Sequence, residues 1–192
     1  MPVEKEWRVL VVSSSVKGSE FIEKNLTENC RAEYVTSGVD ARRCLSQKDY
    51  DVVLINCPLK DEFGSELAEN VIKDSYAGAM LLVRNDVYEG VSSVMEKIGV
   101  FCEPKPVSAQ SFVQGLRMTI TTCQRLKGLV RKTESLKEKM EEIKLVGRAK
   151  LLLITKLSFT EEEAHKYIEK QAMDRCVKKT VIACDIIKNY ND

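Results

Sequence analysis

The sequence predicts an α/β fold: a doubly wound five-stranded parallel sheet, then a long helix suited to a coiled coil, then a bundle of three short helices. Three observations predict it. Apolar runs of strand length alternate with helix-spaced stretches up to residue 118. No proline follows Pro106. Residues 144–192 carry three amphipathic stretches.

Arg8-Val9-Leu10-Val11-Val12 is the apolar run expected of a strand buried on both faces. Three serines end it, and Phe21, Ile22 and Leu26 give Gly18 to Asn29 helical spacing. Ala32 to Thr36 reads as a second strand and Val39 to Leu45 as a second helix. Asp51-Val52-Val53-Leu54-Ile55 is the clearest strand, and Gly64 to Ile72 is helical again. Met80 to Val83, Val87 to Ile98 and Val100 to Cys102 read as strand, helix and strand. Five strands alternating with helices imply a parallel sheet with helices on both faces. A site in such a sheet lies at the carboxyl ends of its strands, near the point where strand order reverses.

Composition narrows the class. The 192 residues are 44% hydrophobic and 31% charged, as in ordinary globular chains. No apolar run approaches the roughly 20 residues of a membrane span. Met1 to Trp7 carries Glu4, Lys5 and Glu6 and lacks the apolar core of a signal peptide, so a cytoplasmic protein is expected. The seven cysteines are odd in number and form no C-x-x-C pair, which argues for free thiols over disulfides or zinc. Neither a cofactor nor a metal is expected, since no Gly-rich phosphate loop or ligand cluster occurs. No nucleophile, base or metal constellation marks an enzyme. The net charge of +1 hides an asymmetry: 13 Lys/Arg against 18 Asp/Glu in residues 1–106, and 17 against 11 in residues 107–192. A basic second half hints at a polyanion partner.

The order and spacing of the first elements resemble the receiver domain of response regulators over residues 6 to 118. The strand Asp51 to Ile55, the loop that follows it to Gly64, and Lys105-Pro106 after the fifth strand carry the resemblance. It implies that Lys105 occupies the position of the lysine that contacts the phosphoryl group, and that its bond to Pro106 is cis. The acidic positions depart from the pattern. Ser13 and Ser14 stand where receivers hold Mg²⁺ with two acids, Asn56 where they carry the phosphoryl-accepting Asp, and Val83 where a Thr or Ser ends the fourth strand. Mg²⁺ prefers carboxylate oxygens, and an amide is no nucleophile for phosphoryl transfer. The resemblance therefore implies a degenerate phosphorylation site made of Ser13, Ser14, Asn56, Val83 and Lys105. Asp61, the alternative acceptor, lies well out in the loop. Lys105 is left to bond to Asn56 or Ser13. The domain is left to act as a dimer platform, or to sense a regulatory protein or a small molecule.

From Pro106 a long helical pattern begins. Thr119, Thr122, Leu126, Leu129, Thr133, Leu136, Met140 and Ile143 recur at alternating spacings of three and four, a heptad seam. The helix either packs back on its own domains or pairs with a second copy. Its charged stripe and thin apolar seam favour a homodimer through residues 119–143, placed between a domain over residues 1–118 and another over 144–192.

The last domain reads as three helices. The first covers Leu145 to Thr155, with Val146, Ala149, Leu152 and Leu153 inward. The second starts at Thr160, an N-cap with Glu163 closing a capping box, and has Ala164, Tyr167, Ile168 and Ala172 on its apolar face. The third covers Val177 to Lys188, with Val181, Ile182, Ile186 and Ile187 buried. His165, the only histidine, has no catalytic partner in view.

Arg148-Ala149-Lys150, Thr160 to Ala164, Tyr167 to Asp174 and Val181-Ile182-Ala183 resemble the ANTAR family, the RNA-binding domain named after the antiterminators AmiR and NasR. Lys179 departs from it, standing where an apolar residue is common. The resemblance implies a regulator that binds a hairpin RNA leader overlapping a terminator. Arg148, Lys150, Lys156, Lys170, Arg175, Lys178 and Lys179 are the candidate RNA contacts, with Lys166 beside them. Splayed hairpin bases and phosphates suit such cations, and Tyr167 offers a ring for stacking or for the core. The alternative is a protein–protein module without RNA binding.

Overall fold

A computed structural model describes residues 6–190. The targeting reading of Met1 to Trp7 falls chiefly on residues 1–5, outside the described residues. The chain divides into two compact units, one ending at Gly128 and the other beginning at Leu129.

The first unit is a five-stranded sheet of order β2-β1-β3-β4-β5. The strands are β1 (Trp7–Ser13), β2 (Cys30–Val35), β3 (Val52–Asn56), β4 (Gly78–Arg84) and β5 (Phe101–Lys105), and every pairing is parallel. Helices α1 (Val16–Asn25), α2 (Gly38–Gln47), α3 (Ser65–Asp74) and α4 (Tyr88–Met95) alternate with the strands, and α5 (Ala109–Leu157) follows. Strand alternation sorts the core into two layers. Leu10, Val12, Val53, Ile55, Leu81 and Val83 point to the layer with α2, α3 and α4. Val9, Val11, Val52, Leu54, Met80 and Leu82 point to the layer where Ile22 of α1 and Phe112 and Leu116 of α5 lie fully buried. Burying one such side chain stabilises the fold by roughly 1.5–3 kcal/mol.

Local chemistry moves several boundaries. Helix α1 starts earlier than its spacing suggests, because the Ser15 side chain caps it by accepting from the Gly18 N–H at 3.2 Å. It ends at Asn25, with Leu26 already extended. Thr36 lies outside β2, and β5 runs on to Lys105. The stretch Val87 to Ile98 is a short α-helix between two 3-10 turns, Asn85–Val87 and Glu96–Ile98. The Lys105–Pro106 bond is cis as expected, and so is Cys57–Pro58.

The second unit holds the end of α5 with α6 (Glu161–Asp174) and α7 (Lys179–Tyr190). The separate helix expected over Leu145 to Thr155 is instead the last part of α5, which runs unbroken from Ala109. Without a proline or a capping residue near Ile143, nothing ends the helix there. Ala149, Leu153, Ala164, Ile168, Ala172, Ile182, Ala183 and Ile186 form the core. Val181, expected inside, is 46% exposed, and Ala183 is buried instead. The capping box is present: Glu163 accepts from the Thr160 N–H at 2.8 Å, and Thr160 Oγ1 accepts from the Glu163 N–H at 3.3 Å. Among the described residues, no helix is long and apolar enough to cross a membrane.

Candidate functional site

The carboxyl ends of β1 and β3 meet where the strand order reverses, and Ser13 pairs in register with Asn56. Both side chains are nearly buried. Asn56 Nδ2 donates to Ser13 Oγ at 3.0 Å, and Ser13 Oγ donates to the Ser15 carbonyl at 3.1 Å. On the other side Lys105 Nζ donates to Asn56 Oδ1 at 2.9 Å and to the Cys57 carbonyl. Of the two bonds open to Lys105, the one to Asn56 forms. The result is a closed chain from ammonium to amide to hydroxyl to main-chain carbonyl, with each polar side chain satisfied.

Burial pulls the Lys105 ammonium below the ordinary lysine range, and nearby Arg84 adds to this. The Cys57 thiol, also buried, is pushed up to about 12, so it stays neutral beside the ammonium. Ser14 lies outside the chain; its hydroxyl donates to the Pro58 carbonyl at 3.1 Å. Val83 is fully buried in the core layer of α2 to α4, opposite Pro104 in register, and Arg84 is the residue beside Lys105. The site therefore joins Ser13, Asn56 and Lys105 and leaves Ser14 and Val83 apart.

Asp61 is committed elsewhere. Its two oxygens accept from the Gly38 and Val39 N–H groups at 2.9 and 3.1 Å, at the start of α2, and these bonds hold its carboxyl below the usual range. Glu62 beside it forms a two-pronged pair with Arg42 at 2.9 and 3.0 Å. The β3–α3 loop is thus pinned to α2.

Gly18 escaped the sequence reading. A Cβ there would stand 2.2 Å from Asn56 Nδ2 and 3.2 Å from Ser13 Oγ. Its one signal is a glycine one turn past a serine cap. The Cys57 carbonyl was equally invisible, since main-chain acceptors leave no mark on the sequence.

The basic candidates of the second unit are spread over its three helices. Lys150 pairs with Glu161 at 3.0 Å, Arg175 with Asp185 at 3.3 Å and Lys179 with Glu169 at 2.5 Å. Lys166 pairs with Glu162 at 2.6 Å. Lys156, Lys170 and Lys178 are exposed and form no ion pair among the described residues. Arg148 is exposed on α5. Tyr167 is 40% exposed and meets Phe159 edge-on at 5.8 Å, so part of the ring is open and part packs. His165 sits on the surface 3.3 Å from Glu169.

Fold and strand-end site together define a receiver-type α/β domain. Among solved structures, the adenylate cyclase from Rhodopirellula baltica superposes with a TM-score of 0.60 at 18% identity, over 70% of this chain and 98% of that one. The signal receiver domain of an HD domain-containing protein from Pseudomonas fluorescens Pf-5 does so with a TM-score of 0.60 at 15% identity, over 67% and 96%. At these identities the likeness is one of fold alone. Residues 134–187, which follow the receiver-type fold, match the model of the ANTAR domain. It is also similar to the transcriptional regulatory protein PdtaR of Mycobacterium tuberculosis, 26% identical over 125 residues, 65% of this chain. The matched stretch spans 61% of that relative's length.

Proposed function

We propose that this protein is a non-enzymatic transcription antitermination regulator that binds hairpin RNA in nascent transcripts through its C-terminal domain. The match of residues 134–187 to the ANTAR domain carries this reading, and the similarity to PdtaR supports it. Arg148, Lys150, Lys156, Lys170, Arg175, Lys178 and Lys179 supply the RNA contacts. Lys156, Lys170 and Lys178, which form no ion pair among the described residues, can reach phosphate without exchanging a carboxylate described there. Lys150, Arg175 and Lys179 must exchange an internal carboxylate for RNA phosphate. Their pairing favours one second reading, a protein–protein module whose basic residues are structural.

The receiver-type domain does not take a phosphoryl group in this proposal. Ser13, Ser14 and Asn56 offer two hydroxyls and an amide, and all three are bonded within the protein. That donor set does not suit Mg²⁺, which binds through carboxylates and retains several waters. Lys105 holds Asn56 where a phosphoryl oxygen would otherwise be held. Control then passes to a regulatory protein or small molecule at this domain, or to constitutive dimerisation through residues 119–143. The cytoplasm is the compartment where such a regulator meets nascent transcripts. Residues 1–118, 119–143 and 144–192 divide the labour into control, pairing and RNA reading.

The test is a gel shift with the RNA leader upstream of the neighbouring operon. A shifted complex, competed by the same hairpins and not by duplex DNA, supports the proposal. Equal competition by duplex DNA sinks it.

A further inference from the structure

The amino end of the sheet holds a second charged arrangement, inside the first unit and remote from the strand-end site. Asp51 stands just before β3. Its N–H donates to the Arg8 carbonyl at 2.8 Å, its carbonyl accepts from the Gly78 N–H at 2.9 Å, and its Oδ2 accepts from the Arg8 N–H at 3.1 Å. Asp51 Oδ1 lies 2.7 Å from Lys127 Nζ of α5. The two side chains are only 17% and 26% exposed, the most sheltered ion pair among the described residues. A pair screened from water is stronger than an exposed one.

The ion pair closes a stripe down α5. Phe112 and Leu116, at its head, are fully buried against the sheet. Below them the buried positions are Thr119 and Cys123, both small, with Ile120 half-buried against the same core. They lie so close to β4 that a Cβ on Gly78 would stand 2.4 Å from Cys123 Sγ and 2.6 Å from Thr119 Cγ2. The hold on α5 thus weakens along its length, from two fully buried large side chains, through a half-buried Ile120, to two small ones and a charge pair. Thr119 also belongs to the heptad seam, yet here it faces the sheet. Its seam neighbours Leu126, Leu129, Leu136, Met140 and Ile143 are 52–71% exposed.

We propose that the Asp51–Lys127 ion pair is a clasp that decides whether the segment Thr119–Lys127 of α5 stays seated on the receiver-type domain or is released from it. Seated, the segment withholds Thr119 from the seam. Released, it adds Thr119 to a seam whose other members are already exposed. The clasp thereby gives the domain a way to alter its joining helix without chemistry at Asn56. It stands whether or not the C-terminal domain binds RNA.

Hydrogen exchange of the full-length protein, read by mass spectrometry, tests the clasp through Lys127. Asp51 is left intact because its other oxygen secures Arg8. In Lys127→Gln, amides of residues 119–128 are expected to exchange about tenfold faster than in the wild type, the loss of one sheltered charged hydrogen bond. Amides of β1 and β3 should be unchanged. Lys127→Arg, which keeps the charge, and Lys132→Gln, an exposed lysine further along α5, should both match the wild type. The clasp is overturned if Lys127→Gln exchanges like the wild type over 119–128, if it speeds β1 and β3 equally, or if Lys127→Arg behaves like Lys127→Gln.

Discussion

Asn56 and Ser13, register partners at the ends of β3 and β1, share a hydrogen bond of 3.0 Å, and Lys105 holds the far side of the same amide at 2.9 Å. An amide can serve both neighbours because it donates from nitrogen and accepts at oxygen. A carboxylate could accept from Lys105 and from Ser13 only if the hydroxyl turned round. The site is therefore matched to Asn. Incubation of the wild type with Mg²⁺ and a small phosphodonor should yield no acid-labile adduct. The triple variant Ser13→Asp, Ser14→Asp, Asn56→Asp restores the carboxylate set and should yield one. An adduct on the wild type at Asn56 or Asp61 would show that the phosphoryl chemistry survives.

Gly18 tests how tightly the network is packed. Gly18→Ala drives a methyl into the Asn56 amide, which is fixed by bonds on both sides and has little room to yield. A loss of about 1–3 kcal/mol is expected in urea unfolding, the usual penalty of overpacking. Gly128→Ala on α5 meets nothing within 4 Å and should stabilise by about 0.5–1 kcal/mol through helix propensity. Equal effects of the two substitutions would contradict this packing.

Much of this architecture was legible beforehand. The apolar runs around Val9, Val53 and Leu81 betrayed the strands because parallel strands covered on both faces must be apolar throughout. Thr160 and Glu163 announced α6 because their capping is local in sequence. Ser13, Asn56 and Lys105 were legible as a group through the receiver resemblance. The rest depended on tertiary facts. The packing of Gly78 on Cys123, the partner of Lys127, and the exposure of Val181 depend on residues distant in the chain. The break expected near Leu145 failed for a different reason: amphipathic periodicity says which face is buried and does not say where a helix ends.

The second unit should be acid-labile. Glu163 is held below the usual glutamate range by the Thr160 N–H and hydroxyl, Glu169 by Lys179, and Glu161 by Lys150. A carboxylate whose folded pKa is depressed adds stability that is full above its unfolded value and is lost as pH falls through the folded one. Helicity of residues 129–190 should therefore fall as pH drops below the ordinary glutamate range. Thr160→Ala should destabilise this unit by about 1 kcal/mol through loss of the cap and shrink the acid-sensitive part. Circular dichroism melts at neutral and acid pH would check both, and a Thr160→Ala melt identical to the wild type at both would refute them.

The exposed seam bears on assembly. Leu136 and Met140 are 61% and 58% exposed, an arrangement costly for a lone helix in water and suited to a second copy. Sedimentation at several concentrations should show a concentration-dependent dimer, and Leu136→Lys with Met140→Lys should abolish it. A strict monomer at all concentrations rules out pairing through residues 119–143.

Fluorescence anisotropy measures RNA recognition by this protein in solution. Labelled paired-hairpin RNA and duplex DNA of equal length are titrated with the full-length protein across a salt series. The expected result is RNA binding at least about tenfold tighter than DNA at moderate salt, with log affinity falling linearly in log salt. Arg148→Ala with Lys178→Ala should weaken that binding and flatten the slope. RNA and DNA bound equally, or an affinity indifferent to salt and to both substitutions, would contradict it.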